Sequence, residues 1–518
     1  MLPLLTAAQM RLCDQYTIDH GVPSRTLMER AAHTSIEVMK RELSVTFNTR
    51  ILVLCGSGNN GGDGFAAARF LWQEGYHTTV YYAGQWTDGR PDPTHMSEEC
   101  ARQYALWHTS GGKTHPDIST LPPSNAIVID ALFGIGLDRP IKGKSAAWIE
   151  AINQSDLPVL AIDIPSGICA DTGKILGCAM RATVTATMAF PKRGLLLYPG
   201  AACVGKLRVC NIGIGQQALG TDDAPPIYQV TPDDLSSLPP RPTYANKGTF
   251  GRVLVIGGLS GMSGAIYFAA KSAYRSGAGL VELLSTQDNR IPLQTLIPEA
   301  IFTDVASAKN TLASMLDRAD SVVLGCGLGQ STEALALTEQ VLRLCQKPLV
   351  LDADALNLLA AHRSLQTILA SRTAPTILTP HLGEASRLTG LAIPDIAADL
   401  FNTANVIAHK YASVCVLKDA RTVISNGAVF YIQECGNSGM ATGGSGDCLA
   451  GLLGSLAAQY RNHANLSPTL LAALSVLLHA MAGDRAAYRL GEHAVMASDI
   501  ADAIGEVLHS SLAPLGSN

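Results

Sequence analysis

The segment best suited to chemistry is Asn437-Ser-Gly-Met-Ala-Thr-Gly-Gly-Ser-Gly446-Asp447, a run of small residues ending in one carboxylate and flowing into an apolar helical pattern. Backbone N–H groups at such a helix start form a hole for an anion, here a phosphoryl group in transit. Asp447 is placed to take a proton from a hydroxyl as it attacks phosphorus. The plainer reading, a helix N-cap with a flexible lead-in, leaves so many small residues before one Asp unexplained. A second loop, Gly56-Ser-Gly-Asn59-Asn60-Gly61-Gly62-Asp63-Gly64, lies between a strand and a helix. Its five glycines are read as allowing positive φ and close backbone approach to a ligand. Asp130 and Asp163 stand at strand C-terminal ends, in AIVID and AIDIPSG. Open parallel sheets bind ligands outside those ends. Alone, each Asp could brace a loop or cap a helix; three loops converging on one sheet edge favour a site.

These residues must be held by elements that the pattern also predicts. ILVLC (51–55), TTVYY (78–82), AIVIDAL (126–132), PVLAIDI (158–164) and TVTATMAF (183–190) read as buried strands, with helical patterns between them around 63–75 and 143–154. That alternation predicts a doubly wound parallel sheet. Residues 215–246 are rich in proline and polar side chains and read as a linker or the opening of a new domain. RVLVIGG (252–258), SVVLGCGLG (321–329), PLVLDADAL (348–356), TILTP (376–380) and SVCVLKDA (413–420) then restart the same grammar. Two different α/β domains are expected, 1–225 and 226–518.

The chain has 518 residues, 47% hydrophobic and 16% charged, which suits a well-cored protein. A net charge of −5 gives no reason to expect nucleic acid or an anionic membrane as partner. The twelve cysteines show neither Cys-x-x-Cys nor Cys/His metal spacing, so reduced thiols in a cytoplasmic protein are expected. The first twenty residues lack the character of a signal peptide. The Ala/Leu-rich stretches near 446–485 read as buried helices rather than membrane spans.

NNGGDG (59–64), DALFGIGLDRPIKG (130–143) and DIPSG (163–167) resemble the N-terminal domain of the bifunctional NAD(P)H-hydrate repair enzymes. GTFGRVLVIGG (248–258), GMSGA (261–265), SGAGLV (276–281), GCGLG (325–329), DADAL (352–356), TPHLGE (379–384), KDART (418–422) and the Asp447 segment resemble the C-terminal domain of the same family, which is ribokinase-like. The resemblance implies a Rossmann-like epimerase domain that interconverts R and S hydrates of NADH and NADPH at C6 of the nicotinamide ring. It implies a second domain that removes the C6 hydroxyl of the S form at the expense of ADP, leaving AMP and phosphate. In the first domain it places the hydrate on Asn59, Asn60, Gly61, Gly62 and Asp63, on Gly134, Ile135, Gly136, Leu137, Asp138, Arg139 and Pro140, and on Asp163, the acid/base. It surrounds a potassium ion with Asn60, Asp130 and Ser166. In the second domain it places the hydrate on Ala265, Gly327, His381 and Asp447. It places the nucleotide, with Mg2+, on Lys418, Asp419, Ala420, Arg421, Thr422 and Gly446.

Departures from the family pattern are Arg30 after Glu29, Cys326 for a common Pro, Leu382 after His381 and Asp419 for a typical Gly. The resemblance further implies NADHX and NADPHX as ligands and a homo-oligomer. Two other readings compete with it. One is a ribokinase-like small-molecule kinase with an N-terminal ligand-binding domain. The other makes the first domain a binding module only, against which stand Asp130, Asp163 and the whole NNGGD loop.

Overall fold

In the computed structural model, which describes residues 1–118, 125–220, 225–259 and 261–512, the chain divides into two compact units, Leu2–Ala224 and Pro225–Asn518. The first is built on seven parallel strands: β1 (Arg50–Cys55), β2 (His77–Tyr82), β3 (Thr114–His115), β4 (Ala126–Ala131), β5 (Val159–Ile162), β6 (Val184–Met188) and β7 (Lys206–Cys210). They lie in the order β7-β6-β5-β4-β1-β2-β3. Strand residues point alternately to the two faces. Ile51, Val53 and Cys55 pack with α1 (Ala7–Asp19), α2 (Ser24–Glu42), α3 (Asn59–Gln73) and α4 (Glu98–Thr109). Leu54 and Val128 pack with Trp148, Ile149 and Ile152 of α5 (Gly143–Asn153). Both faces are covered, as a doubly wound sheet requires. The order reverses between β1 and β4, so the loops after these two strands part and leave a crevice at their C-terminal ends.

The glycine-rich segment after β1 departs from the expectation. Asn59–Gly64 is not a loop but the opening of α3, and none of Gly56, Gly58, Gly61, Gly62 and Gly64 takes a positive φ. What these positions need is closeness. A Cβ on Gly61 would sit 1.9 Å from the Gly56 carbonyl oxygen, and one on Gly64 would sit 2.6 Å from Ala131 Cβ. The glycines let α3 lie directly on β1 and β4, which brings its N-terminus to the crevice.

The second unit carries β8 (Ile227–Gln229), β9 (Arg252–Ile256), β10 (Leu280–Ser285), β11 (Ile301–Asp304), β12 (Ser321–Leu324), β13 (Leu349–Leu351), β14 (Thr376–Leu378), β15 (Val414–Leu417), β16 (Val423–Ser425) and β17 (Phe430–Ile432). Their order is β8-β17-β16-β15-β14-β13-β12-β9-β10-β11. The sheet is parallel except where β16 runs antiparallel to β15 and β17. Its order reverses between β9 and β12. The segment read as a linker is partly core: β8 pairs with β17, and Val230, Leu235 and Leu238 are buried in the second unit. Residues 221–224 of that segment lie outside the described residues. Over the sheet lie α6 (Ser263–Arg275), α11 (Ser445–Gln459), α12 (Pro468–Leu490) and α13 (Ala497–Leu512), and farther along α7 (Thr332–Leu344), α8 (Asp354–Ala361), α9 (Leu382–Thr389) and α10 (Leu400–Tyr411). Among the described residues α12 alone is long and apolar enough to cross a membrane, and 72% of its apolar window is buried inside the protein. Both α/β domains that the sequence implied are therefore present.

Two candidate active sites

The first site forms at the β1/β4 crevice. Asp130, at the end of β4, is fully buried. Its carboxylate accepts hydrogen bonds from Ser166 N–H at 2.8 Å, from Ser166 Oγ at 2.6 Å and from Leu132 N–H at 3.3 Å. Burial still pushes it up to about 6, against the pull of Ser166. Ser166 Oγ also accepts from Phe133 N–H at 2.9 Å, which ties the 133–140 loop to the 163–167 loop. Asn60 reaches the same place: a Cβ on Gly134 would lie 3.2 Å from Asn60 Cβ. Asn60 is buried, and neither its Oδ1 nor its Nδ2 has a partner. A buried amide without partners costs about 1–3 kcal/mol, so this one is shaped for something that binds. Asp130 and Ser166 are bonded to one another, and Asn60 lies against the same loop at Gly134. The outer part of the loop, Asp138, Arg139 and Pro140, is exposed.

Asp163 follows β5 with φ +67, a left-handed conformation costly for a non-glycine residue and typical of functional sites. Its Oδ1 accepts from Lys192 Nζ at 2.5 Å and from Met188 N–H at 3.1 Å. Lys192 is fully buried, and it also donates to Thr187 Oγ1 and the Met188 carbonyl. Two further carboxylates face this pair. Burial and the Asp163 charge push Asp14 on α1 up to about 6. Burial, Asp163 and Asp14 together push Asp63 well above the usual carboxylate range. Lys192 and Asp14 were not among the residues expected from the sequence. For Lys192 the signal existed, since a lysine just past a strand end lies where ligands bind. Asp14 gave none, sitting on an ordinary helix. Arg30 donates to the Ile212 carbonyl at 3.2 Å and so braces the loop after β7.

The second site lies where α11 meets the ends of β12, β13 and β15. Gly444 takes φ +94 just before α11, and Asp447 sits in its first turn. Asp447, Cys326 after β12 and Asp352 after β13 bring their ligating atoms within 4.8 Å of one another. Asp352 is buried and accepts from Lys418 Nζ at 2.7 Å and Thr379 Oγ1 at 2.6 Å. Burial alone would lower the Lys418 ammonium, but Asp352 and Glu384 outweigh it and hold it above the usual lysine range. Burial, with Asp352 adding to it, pushes Asp447 up to about 7, and the same burial pushes the Cys326 thiol well up.

The Lys418–Thr422 segment is the turn joining β15 to β16, with Asp419 and Ala420 exposed and Thr422 buried. Lys418 itself turns inward, toward Asp447 rather than away from it: a Cβ on Gly446 would lie 3.3 Å from its Nζ. The cation and the helix N-terminus therefore face one small volume, which suits a phosphoryl group. His381 neighbours Lys418 in a short parallel bridge and caps α9, its Nδ1 accepting from Gly383 N–H at 3.0 Å. Burial and then Lys418 lower it, which keeps the imidazole neutral. Gly327, at φ +61, packs against Ala265, whose Cβ would lie 3.1 Å from an added one. Asp352, not among the residues expected at this site, is its centre, bonded to Lys418 and Thr379 and close to Asp447 and Cys326.

Comparison with known proteins gives the following. A family profile described as NAD(P)H-hydrate dehydratase matches residues 253–506, and one described as YjeF-related protein N-terminus matches residues 24–194. A bifunctional NAD(P)H-hydrate repair enzyme from Moorella thermoacetica is 37% identical over 523 residues, covering 98% of this chain and 97% of its own. Its counterpart from Coxiella burnetii is 38% identical over 506 residues, covering 96% and 98%. Among solved structures, a hypothetical protein from Streptococcus mutans matches 55% of this chain and 100% of its own at 31% identity, with a TM-score of 0.50.

Proposed function

The chain belongs to the bifunctional NAD(P)H-hydrate repair enzymes, and from that premise we propose that each compact unit carries one of the two reactions at the site described for it. The first unit, Leu2–Ala224, epimerises the hydrates of NADH and NADPH. The second, Pro225–Asn518, dehydrates the S form with ADP. The observation that carries this reading is that each unit has its own acid/base centre at strand C-terminal ends, Asp163–Lys192 in one and Asp447–Asp352–Lys418 in the other.

In the first unit the C6 hydroxyl leaves as water when the Asp163–Lys192 pair protonates it, with the ring nitrogen supplying the electron pair. Water returns on the opposite face and gives the proton back to the pair. Asn59–Asp63 and Gly134–Pro140 hold the ring in place. Asn60, Asp130 and Ser166 fit a potassium ion, whose positive charge would fix the loop junction. Crystals grown with rubidium are expected to show an anomalous peak beside Asp130, and an empty site at saturating salt would retire the assignment.

In the second unit Asp447 takes the proton of the C6 hydroxyl as its oxygen attacks the terminal phosphorus of ADP, and AMP leaves. The phosphate then departs from C6 with both electrons of the C–O bond and takes up the proton that C5 loses, which restores NADH or NADPH. Phosphate leaves far more readily than hydroxide, which is why a nucleotide is spent. Lys418 and the α11 N–H groups stabilise the phosphoryl charge. Mg2+ fits here on the nucleotide's own phosphates, because Cys326 offers sulfur and Asp352 is already held by Lys418 and Thr379. Asp447 would face such an ion. Asp419, Ala420, Arg421, Thr422 and Gly446 bind the rest of the nucleotide, and Ala265, Gly327 and His381 the hydrate.

The reading takes the enzyme as a cytoplasmic homo-oligomer acting on free dinucleotide hydrates. A fragment ending at residue 225 tests the division of labour. It is expected to fold alone and to interconvert the R and S hydrates. A folded fragment that leaves pure R hydrate unchanged would remove the epimerase assignment.

A further inference from the structure

The segment that leads into Asp447 follows a path that needs glycine at two points, Gly436 at φ +105 and Gly444 at φ +94. Helix α12 meets it along its length. Asp484 accepts from Gly436 N–H at 2.9 Å with one oxygen and from Asn437 Nδ2 at 2.8 Å with the other. Gly483 has no room for a side chain, since a Cβ there would lie 2.3 Å from Met440 Sδ. One turn earlier His479 Nε2 lies 3.5 Å from Ser445 Oγ, at the first residue of α11. Asn437 passes the constraint on, its Oδ1 accepting from Gly439 N–H at 3.0 Å.

We infer that Asp484 is a positioning residue for the dehydratase reaction, acting through Asn437 to hold the 436–446 path in the shape that aims the α11 N–H groups at the phosphoryl group. This rests on the proposed function of the second unit. Asp484 belongs to neither ligand set assigned above, and its carboxylate meets two adjacent donors of the path at once. Its chemistry is therefore exchangeable, and that gives a test.

Asp484→Asn sets an amide against two donors, and Asn437→Asp sets a carboxylate against a carboxylate. In the double variant the amide oxygen at 484 accepts from Gly436, its NH2 donates to the carboxylate at 437, and that carboxylate accepts from Gly439. Every bond returns, the one between 484 and 437 with donor and acceptor exchanged and the two from the Gly436 and Gly439 N–H groups unchanged. All four full-length proteins are assayed for dehydration of S-NADPH hydrate over a range of ADP, for epimerisation, and for melting temperature. Each single variant is expected to lower kcat/KM for ADP by about tenfold or more, and the double to return within about threefold of wild type, the size of coupling found between contacting polar groups. Epimerisation is expected to be unchanged in all four. A double variant as slow as the worse single, or a single at the wild-type rate, overturns the inference. If a single variant unfolds the second unit, recovery of folding in the double without recovery of turnover overturns it as well. A wild-type protein that binds ADP calorimetrically but does not turn over the hydrate would defeat the proposed function instead. The ADP affinities of the four proteins would then decide the brace, with the same loss and rescue expected.

Discussion

Asp447→Asn is expected to lower kcat for dehydration of the S hydrate by about 10²–10⁴-fold, the range for losing a positioned general base, with KM for ADP nearly unchanged. The substitution keeps the shape of the side chain and removes only its capacity to take a proton. Lys418 and the α11 N–H groups, which meet the phosphates, stay where they are. A pH profile separates this role from helix capping. Burial and the Asp352 charge raise Asp447 to about 7, so the basic carboxylate form appears as pH rises through that value. Wild-type kcat is expected to climb through about pH 7 and then level. The Asn variant should lose that limb as well as its rate. If Asp447 only capped α11, the change would cost at most about 1 kcal/mol of stability and leave turnover near normal.

Asp163→Asn is expected to reduce epimerisation by a similar factor of about 10²–10⁴ while dehydration of pure S hydrate proceeds at the wild-type rate. The amide oxygen can still accept from Lys192 Nζ and Met188 N–H, so the buried ammonium is not stranded, a loss that would otherwise cost about 3–5 kcal/mol. Asp63 and Asp14 also lie within electrostatic reach and supply negative charge once Asp163 is neutral. Epimerisation assayed from pure R hydrate checks this. Loss of both activities in a folded variant would contradict two independent sites.

Asp447 and Asp163 were legible in the sequence because each ends a strand or opens a helix in a context that turn chemistry does not explain. Their partners were not. Lys192 lies 29 residues from Asp163, and Lys418 lies 66 residues from Asp352. Strand order, not local pattern, brings such pairs together. β8, β16 and β17 have three residues each, too few for an alternating pattern to stand out, so proline-rich 225–229 read as linker. The glycines after β1 show a different limit. A glycine that permits positive φ and one that permits close packing look the same in a sequence, and only the distance from Gly61 to the Gly56 carbonyl distinguishes them. The proposed potassium ligands came from the resemblance alone, and no local pattern marks the buried Asn60 amide as one left without partners.

The central claim is that one chain converts either hydrate epimer to intact dinucleotide at the expense of ADP. It is tested most directly by giving the full-length protein pure R-NADPH hydrate with ADP and following NADPH absorbance together with AMP and phosphate. The expected result is complete conversion to NADPH, with one AMP and one free phosphate formed for each NADPH. Phosphate retained on the dinucleotide product, or R hydrate left untouched while S hydrate is consumed, would contradict the account.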